Sequence, residues 1–370
     1  MKITPKIYLY KSRDFEHFSR KKGVKKIDHY DFFLKDIFEI NFPHLYKKDN
    51  RKEFENFREN FLSESEENLG YWVYYPWLNS AYRCPSEEKY HQIITARNKP
   101  LISEFQQERF LNFNIGIVGL SVGQSSALML VRSGGCRKMK ICDGDTIDPS
   151  NLNRLHCGLP AVGDKKTDSV SRLIYENNPY QKLEVLEDRL SKKNVVDFFE
   201  KNFKLDAVID ACDSFEAKML IRKYAEKYKI PVIMATDLSD AVLLDVERYD
   251  LKTDQKPFNG RIEKYLDSKD FIKAALAVIS PENLPIQIHD ALAEIGKTIP
   301  THPQLGSGSN MCGVVINYIV RALAVGKLVS IERVLIDLDD FFDPSHKEEN
   351  YKKYKNLRTA ALKKMLGMED

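Results

Sequence analysis

The sequence lacks any C-x-x-C pair, although its 370 residues include six cysteines. These cysteines are scattered along the chain, as Cys84, Cys136, Cys142, Cys157, Cys212 and Cys312. Scattered single cysteines argue against a disulfide framework and against a structural zinc site, since both need regularly spaced partners. Free cysteines are typical of a reducing cytoplasm, so we expect a cytoplasmic protein without structural zinc.

The sequence also lacks a large excess of one charge and a long apolar run. Lys and Arg number 57 against 54 Asp and Glu, a net charge of +3, so neither nucleic acid nor an anionic membrane is expected as a partner. The most apolar helical stretch, residues 311–325, is too short to span a bilayer and includes Asn317 and Arg321. The opening stretch MKITPKIYLYKSRDF has no apolar signal segment. We therefore expect a soluble protein.

Residues 1–94 are rich in Phe, Tyr and Lys and include both tryptophans of the chain. Phe54, Phe57 and Phe61 recur at helical spacing, and the stretch GYWVYY is typical of a strand. This pattern predicts a small α+β module over residues 1–94. Its aromatic residues suit packing in a core, and the alternative is a platform that holds an extended peptide.

From residue 114 the sequence alternates between apolar strands and helical stretches. The strands are NIGIVGL, KMKICD, KLEVLED, DAVIDACD, PVIMATD and a final VLIDL. This alternation predicts an α/β fold with a doubly wound, Rossmann-like, mostly parallel sheet, which we assign to a domain over residues 95–345. The rhythm is lost over residues 238–305, predicted to be a crossover segment, and residues 346–370 are predicted to form a surface helix.

The stretch GLSVG at residues 119–123 satisfies the G-x-S-x-G pattern of a serine hydrolase. It also directly follows a strand, where a phosphate-binding turn would open a helix. Asp143 ends the next strand, at a separation that suits a contact with ribose. Ser121 and Gln124 replace the second and third glycines of G-x-G-x-x-G, so this pair of features alone is a weak signal.

Four elements in order resemble the nucleotide-binding core of the E1-like adenylating enzymes, the family of ThiF, MoeB and HesA. They are I-V-G-L, the stretch DGDTIDPSNLNR that begins at Asp143, Lys166 at a helix start, and Asp213 after the fourth strand. The resemblance covers residues 95–240 and, more loosely, the final helix and strand. It implies the E1-like fold and ATP- and Mg²⁺-dependent adenylation of a carboxylate.

The resemblance also implies roles for individual residues. The nucleotide turn and ribose site would comprise Gly119, Ser121, Asp143, Asp145 and Asn153, and the triphosphate would contact Asn151, Arg154 and Lys166. Asp213 would hold Mg²⁺. These residue types suit the reaction, because attack of a carboxylate on a phosphate requires cations that neutralise the leaving pyrophosphate. Each residue also has a structural alternative, as a turn former, a cap or a surface charge.

In this family a further catalytic arginine comes from a partner subunit, which implies a homodimer. Arg97 is the candidate here, in the stretch A-R-N-K-P, which departs from the family's usual R-x-x-R-Q. Lys99 is the alternative. The family's zinc pairs are missing, and no cysteine lies between Cys212 and Cys312, where thioester-forming members carry one. A thioester step is therefore not expected, and both of these cysteines are expected in the core.

The N-terminal module resembles the precursor-binding domain of the family's peptide-modifying members, such as the microcin C7 and pantocin maturation enzymes. This resemblance implies adenylation or phosphorylation of a carboxyl or amide on a ribosomally made peptide. The pantocin type, in which a glutamate side chain is activated and cyclised, fits the missing cysteines better. Candidates for the acceptor side are Thr236, Asp237, His302 and Gln304.

Four other functions stay open at this point. The chain could activate a ubiquitin-like or sulfur-carrier protein, or it could be an inactive relative that only binds. A serine hydrolase could use Ser121, Asp213 and His302, which occur in the chain order of α/β-hydrolases. A nicotinamide or flavin oxidoreductase would suit Asp143, but Arg154 and Lys166 favour a triphosphate.

Overall fold

The computed structural model describes residues 3–251, 254–262, 276–329, 333–365 and 368. The chain divides into two compact units. The first comprises the residues up to Leu111 with Val131–Arg137 and Ser171–Gln181, and the second comprises Asn112–Leu130, Lys138–Val170 and the described residues from Lys182 onward. The domain boundaries at residues 94 and 345 stay predictions.

The first unit is built of short strands and helices around a four-stranded sheet. Its elements are β1 (Lys6–Leu9), α1 (Arg13–Lys22), β2 (Lys25–Ile27), α2 (Tyr30–Asn41), α3 (Arg51–Glu64), β3 (Tyr71–Tyr75), β4 (Ser80–Cys84), α4 (Glu87–Thr95) and α5 (Glu104–Leu111). The sheet order is β1-β3-β4-β2, in which β2 and β4 run parallel and the other pairs antiparallel. Strands β1 and β2 therefore form its two edges.

Aromatic side chains fill the core of this first unit. Phe15 is fully buried and stacks on Trp72 with ring centroids 5.5 Å apart. Phe57 and Phe61 stack on each other at 5.3 Å within a cluster that also includes Phe54. The prediction that these aromatic residues pack in a core is confirmed, and these rings do not form an exposed platform.

The second unit contains a seven-stranded sheet. Its strands are β5 (Ile115–Val118), β6 (Lys138–Cys142), β7 (Lys182–Leu186), β8 (Ala207–Asp210), β9 (Val232–Asp237), β10 (Ala241–Glu247) and β11 (Val334–Asp337). Its helices are α6 (Val122–Arg132), α7 (Lys166–Asn177), α8 (Val195–Glu200), α9 (Phe215–Tyr228), α10 (Ile286–Glu294), α11 (Gly306–Ala324), α12 (Asp339–Phe342) and α13 (Glu349–Met365). Helices α6 and α7 each begin in this unit and end in the first one.

The strand order is β11-β10-β9-β8-β5-β6-β7, and the five strands from β9 to β7 run parallel. Both β9 and β11 pair antiparallel with β10. The predicted mostly parallel, doubly wound sheet is confirmed. Because β5 lies between β6 and β8, the chain reverses its direction of winding at β5, and ligands of such sheets bind beside that point.

Strand β10 lies within residues 238–305, which the sequence predicts to be a crossover segment. The chain turns directly after β9, where Leu238 and Ala241 exchange backbone hydrogen bonds, and continues as a strand that is buried over its whole length. The two strands of an antiparallel hairpin are joined without a helix. The alternation of strands and helices in the sequence therefore stops here, although the sheet continues. Residues 252–253 and 263–275 of the predicted crossover lie outside the described residues.

The predicted C-terminal helix is present as α13, whose residues are mostly exposed. Residues 366–367 and 369–370 of that prediction lie outside the described residues. Across the described ranges, no helix combines the length and hydropathy needed to cross a membrane.

Candidate nucleotide site

The turn after β5 brings the backbone of two strands into close contact. Gly119 has a φ of +89°, and a Cβ atom at this position would lie 2.4 Å from the carbonyl oxygen of Ala211. Its N–H donates to the carbonyl of Cys142 at 2.8 Å. Helix α6 begins three residues later, so its first N–H groups point out of the helix at the carboxyl edge of the sheet. This turn can therefore accept an anionic group against backbone donors.

Asp143 connects this turn to the next strand. Its Oδ2 accepts a hydrogen bond from the N–H of Leu120 at 2.7 Å, and its Oδ1 accepts one from the N–H of Asp145 at 2.8 Å. Burial raises the pKa of Asp143, and the neighbouring Lys166 opposes that effect. Each carboxylate oxygen keeps a second acceptor position, so Asp143 can support the turn and still accept a hydrogen bond from a hydroxyl group.

Asp145 forms ion pairs with two cations. Its Oδ2 accepts from Nζ of Lys166 at 3.0 Å, and its Oδ1 accepts from Nη2 of Arg189 at 2.7 Å. Partial burial acts to raise the pKa of Asp145, but the hydrogen bonds from Arg189 and Lys166 outweigh it, so the pKa lies below its ordinary value. The strand ends thus hold two cations beside the Gly119 turn. Sequence analysis assigned Lys166 to this place and missed Arg189, whose only signal is its position just after β7.

The segment between Asp145 and Lys166 positions a third cation. Asn151 is buried, and its side chain accepts a hydrogen bond from the N–H of Asp148, so it acts as a turn former. Arg154 donates from Nε to Oγ of Ser121 at 3.2 Å and from Nη1 to Oδ1 of Asn153 at 2.9 Å. Burial lowers the pKa of Arg154. Within the described ranges, no hydrogen bond uses Nη2 of Arg154, which leaves donors for a ligand.

Asp213 and Arg97 occupy different settings. Asp213 is exposed in the segment between β8 and α9. The hydrogen bond to Asp145 raises the pKa of Arg189, and the nearby charge of Asp213 adds to that effect. An exposed carboxylate at this edge is a suitable hard ligand for Mg²⁺. Arg97 is exposed in a 3-10 turn of the first unit, whereas the other predicted site residues lie in the second unit. Lys99, the alternative, pairs with Glu104.

Two of the candidate acceptor residues, Asp237 and Gln304, are hydrogen-bonded to each other at the same edge of the sheet. Asp237 ends β9 and accepts a hydrogen bond from Nε2 of Gln304 at 3.1 Å, while Nδ2 of Asn153 donates to the carbonyl of Gln304 at 2.8 Å. Burial raises the pKa of Asp237, and Gln304, His302 and Arg154 oppose that effect. Gln304 therefore links the segment that carries Asn153 and Arg154 to the end of β9. Thr236 precedes Asp237 in β9, where it pairs with Leu243.

The structure does not bring the hydrolase candidates together. Ser121 accepts a hydrogen bond from Arg154, and the hydrogen bond of His302 is to Oγ1 of Thr301. No bond in the described part of the chain joins Ser121, Asp213 and His302. Burial raises the pKa of Cys212 and of Cys312, so neither thiol has the character of a nucleophile.

Beneath the site lies a buried ionic network that sequence analysis did not detect. Arg222 is fully buried and donates at 2.7 Å to Asp210 and at 2.7 Å to Glu247. Asp210 also accepts from Lys218 at 3.0 Å. Burial acts to raise the pKa of Asp210, but Lys218 and Arg222 outweigh it and lower the pKa to about 2. The network joins β8, α9 and β10 immediately before the segment that carries Asp213.

Taken together, the site contains three cations, the start of a helix and one exposed carboxylate at the carboxyl edge of a parallel sheet. Residues 95–239 match the ThiF family. The tRNA threonylcarbamoyladenosine dehydratase of Bacillus subtilis (strain 168) is 30% identical over 207 residues, which cover 54% of this chain and 80% of that protein. The chain belongs to the ThiF family, as its sequence motifs indicated.

Two further comparisons cover more of the chain than the match to the ThiF family does. The uncharacterized protein MT1398 of Mycobacterium tuberculosis (strain CDC 1551 / Oshkosh) is 30% identical over 279 residues, or 74% of this chain. The chain spans only 38% of the length of that relative. The crystal structure of selenomethionine PaaA is similar with a TM-score of 0.47 and 19% identity, over 68% of each chain.

Proposed function

We propose that this protein adenylates a carboxylate with ATP and Mg²⁺. The observation that carries the proposal is the position of Lys166, Arg189 and Arg154 around the turn at Gly119. Three cations and a helix start suit a triphosphate, which carries more negative charge than the diphosphate of a dinucleotide. Membership of the ThiF family supports the same reaction class.

Each residue has a distinct part in this proposal. The backbone after Gly119 faces the nucleotide, and Asp143 accepts a hydrogen bond from a ribose hydroxyl. Arg154 binds phosphate through its remaining Nη2 donors. Lys166 has three donors, one of which Asp145 occupies, so it can contact phosphate without leaving that partner. Asp213 would hold Mg²⁺, which supplies neutralising charge to the phosphates when bound.

The proposed reaction forms one bond and breaks one. A carboxylate oxygen of the substrate attacks the α-phosphorus of ATP, and the bond from that phosphorus to the bridging oxygen of pyrophosphate breaks. The products are an acyl-adenylate and pyrophosphate. The cations stabilise charge that grows on the leaving pyrophosphate, and Asp145 holds two of them in place. A nucleophile then attacks the acyl carbon and releases AMP.

A peptide is the substrate class that the first unit supports best. Its edge strand β1 exposes the side chains of Ile7 and Leu9, at 39% and 45% of their full areas. An edge strand of this kind can pair with an extended peptide through its free backbone groups. We propose that a ribosomally made precursor is bound there and that the activated group is a glutamate side chain, which then cyclises. The alternative acceptor is a ubiquitin-like or sulfur-carrier protein.

Exchange of labelled pyrophosphate into ATP tests the adenylation step. Purified protein with Mg²⁺, ATP and a peptide encoded beside its gene should show exchange, and Arg154→Ala and Asp213→Ala should abolish it. Arg321→Ala, on α11, is a matched control that should retain it. Release of ADP without exchange would contradict adenylation and indicate phosphorylation instead. Exchange only with a small protein ending in Gly-Gly would contradict the peptide substrate.

Arg97 and the homodimer belong to the same proposal, in which the partner subunit supplies Arg97 to the triphosphate. A mixture of Arg97→Ala and Arg154→Ala subunits tests it. If sites are shared between subunits, mixing two inactive variants restores part of the activity, because some dimers then contain one intact site. Absence of any restoration in a mixture shown to exchange subunits would contradict the composite site.

A further inference from the structure

A second cluster of metal-binding side chains lies where β11 ends. Asp337 is the last residue of β11, Asp339 begins α12, and His346 lies in the 3-10 turn before α13. One donor atom from each of these residues lies within 4.8 Å of the other two. Asp337 and His346 are more than nine-tenths buried. The cluster therefore combines a buried carboxylate and a buried imidazole with a second carboxylate, Asp339, whose side chain is 42% exposed.

The arrangement around His346 resembles that of a metal ligand. Its Nδ1 lies 3.4 Å from Oδ1 of Asp340, while its Nε2 lies 3.7 Å from Oδ2 of Asp339. A histidine that binds a metal usually donates its other ring N–H to a carboxylate, which fixes the tautomer. The ring also stacks on Tyr351 with centroids 4.1 Å apart. The contacts with Asp340 and Tyr351 thus fix the orientation of the imidazole ring, and its Nε2 lies on the side of Asp339.

The buried carboxylate of Asp337 favours a cation in this cluster. Asp337, Asp339 and Asp340 lie around one imidazole, and no lysine or arginine in the described ranges forms an ion pair with them. A buried carboxylate such as that of Asp337 is normally paired with a cation or bound to a metal, whereas the side chains of Asp339 and Asp340 are partly exposed. The hydroxyl of Tyr351, which lies in the field of the same aspartates, is buried and has no hydrogen-bond partner in the described part of the chain. This hydroxyl therefore has a donor to offer to a polar ligand or a water molecule at the cluster.

The cluster is separate from the nucleotide site. Asp337 pairs with Ala241 of β10, and the sheet order places β11 three strands from β8, the strand that precedes Asp213. Neighbouring strands lie about 4.8 Å apart, so the two places are roughly 14 Å apart. One Mg²⁺ at Asp213 cannot serve both.

We propose that Asp337, Asp339 and His346 bind a divalent transition metal ion, of which Zn²⁺ is the best match. Zn²⁺ accepts imidazole nitrogen and carboxylate oxygen at about 2.1 Å, and its tetrahedral geometry places neighbouring ligand atoms about 3.4 Å apart. The separation of 3.7 Å between Nε2 of His346 and Oδ2 of Asp339 is close to that value. The three side chains leave one tetrahedral position for a water molecule, and the ion would connect the end of β11 to the segment that leads into α13. This site differs from the cysteine-based zinc site that the sequence excludes.

Zinc binding to the full chain tests the proposal. After treatment with a chelator and dialysis, titration with ZnCl₂ should show one ion bound per chain and a rise in melting temperature. Asp339→Asn and His346→Ala should weaken binding at least 100-fold. Asp343→Asn, a carboxylate of the same segment that caps the 3-10 turn, is the matched control and should change binding less than threefold. Asp213→Ala should leave zinc binding unchanged.

Two results would overturn the proposal. One is the absence of stoichiometric zinc binding by a chain whose circular dichroism shows it is folded. The other is a His346→Ala variant that destabilises the chelated protein as much as it destabilises the zinc-loaded protein, since His346 would then act only as a partner of Asp339 and Asp340. Substitution with Co²⁺ provides a readout that folding alone does not change, because its visible absorption should shift or disappear in Asp339→Asn.

Discussion

Lys166 and Asp145 are joined twice: the backbone N–H of Lys166 donates to the carbonyl of Asp145 at 3.0 Å, and its Nζ donates to the carboxylate at 3.0 Å. The residues between them, 146–165, therefore form a loop that is closed at its base. Arg154 projects from this loop to Ser121. The loop is held by the same ion pair that places Lys166 beside the nucleotide turn.

Replacing Lys166 by alanine should lower kcat/KM for pyrophosphate exchange by about 100-fold, because one preorganised cation is lost from the phosphate site. Lys165→Ala is the matched control. Lys165 is the preceding residue and forms a half-exposed pair with Glu187, and such pairs contribute little to stability. Equal losses in the two variants would contradict a specific role for Lys166. Exchange kinetics and ATP binding by calorimetry provide the measurements.

Replacing Gly119 by alanine should destabilise the protein and abolish nucleotide binding. The new Cβ would lie 2.4 Å from the carbonyl oxygen of Ala211, so β5 and β8 would have to separate. Gly163→Ala is a close control, because Gly163 has a φ of +88° and, apart from its chain neighbours, no described residue lies within 4 Å of where its new methyl group would be. The unfolding free energy of Gly163→Ala should fall only by the cost of placing a residue with a Cβ atom at positive φ, about 1–2 kcal/mol. Urea unfolding should show a larger loss for Gly119→Ala, and similar losses would contradict the steric argument.

Replacing Arg222 by methionine should cost about 3–5 kcal/mol of unfolding free energy, because Glu247 would stay buried without its cation and Asp210 would keep only Lys218. Arg58→Ala is the comparison at the surface, where the pair with Asp31 is exposed and contributes about 0–1 kcal/mol. The measurement is chemical denaturation of both variants at neutral pH. A loss at Arg222 no larger than that at Arg58 would show that the network is not needed for stability.

Acid should remove the contribution of Asp210 to stability. Its pKa in the folded protein is about 2, below the value of about 3.9 for an unfolded aspartate. The unfolded chain therefore takes up a proton first, so this contribution is complete above about pH 5 and is lost as the pH falls through 4 toward 2. The expected loss is about 2–3 kcal/mol. Asp210→Asn should show a smaller loss across that pH range, and an unchanged slope would assign the acid sensitivity to other groups.

The local pattern of apolar residues was sufficient to predict much of the fold. Apolar strands such as Ile115–Val118 and Ala207–Asp210 are buried on both faces, so each is a continuous apolar run that can be recognised without its neighbours. Strand β10 was missed, although Ala241–Glu247 is equally buried. It follows a hairpin in place of a helix, and the pairing of two strands across a turn is not visible in a pattern of alternating strands and helices.

In the candidate site, too, some residues could be predicted from the sequence pattern and others only from the tertiary structure. The order of Gly119, Asp143, Lys166 and Asp213 along the chain was enough to recognise the family, because parallel strands bring their ends to one edge. Arg189 and the pair of Asp237 with Gln304 were clear only from the structure. Single charged residues after strands are common, and only their distances distinguish a site residue from a surface charge.

The sequence by itself determined the class of fold, the family and the edge of the sheet at which the candidate site lies, since these depend on residue types that recur at short and regular spacing. Only the tertiary structure decided which charges meet. The partners Asp210, Arg222 and Glu247, and likewise Asp337, Asp339 and His346, belong to different elements of the chain. Their contacts depend on strand order and packing, because electrostatic attraction acts through space and falls with distance, whatever the separation along the chain.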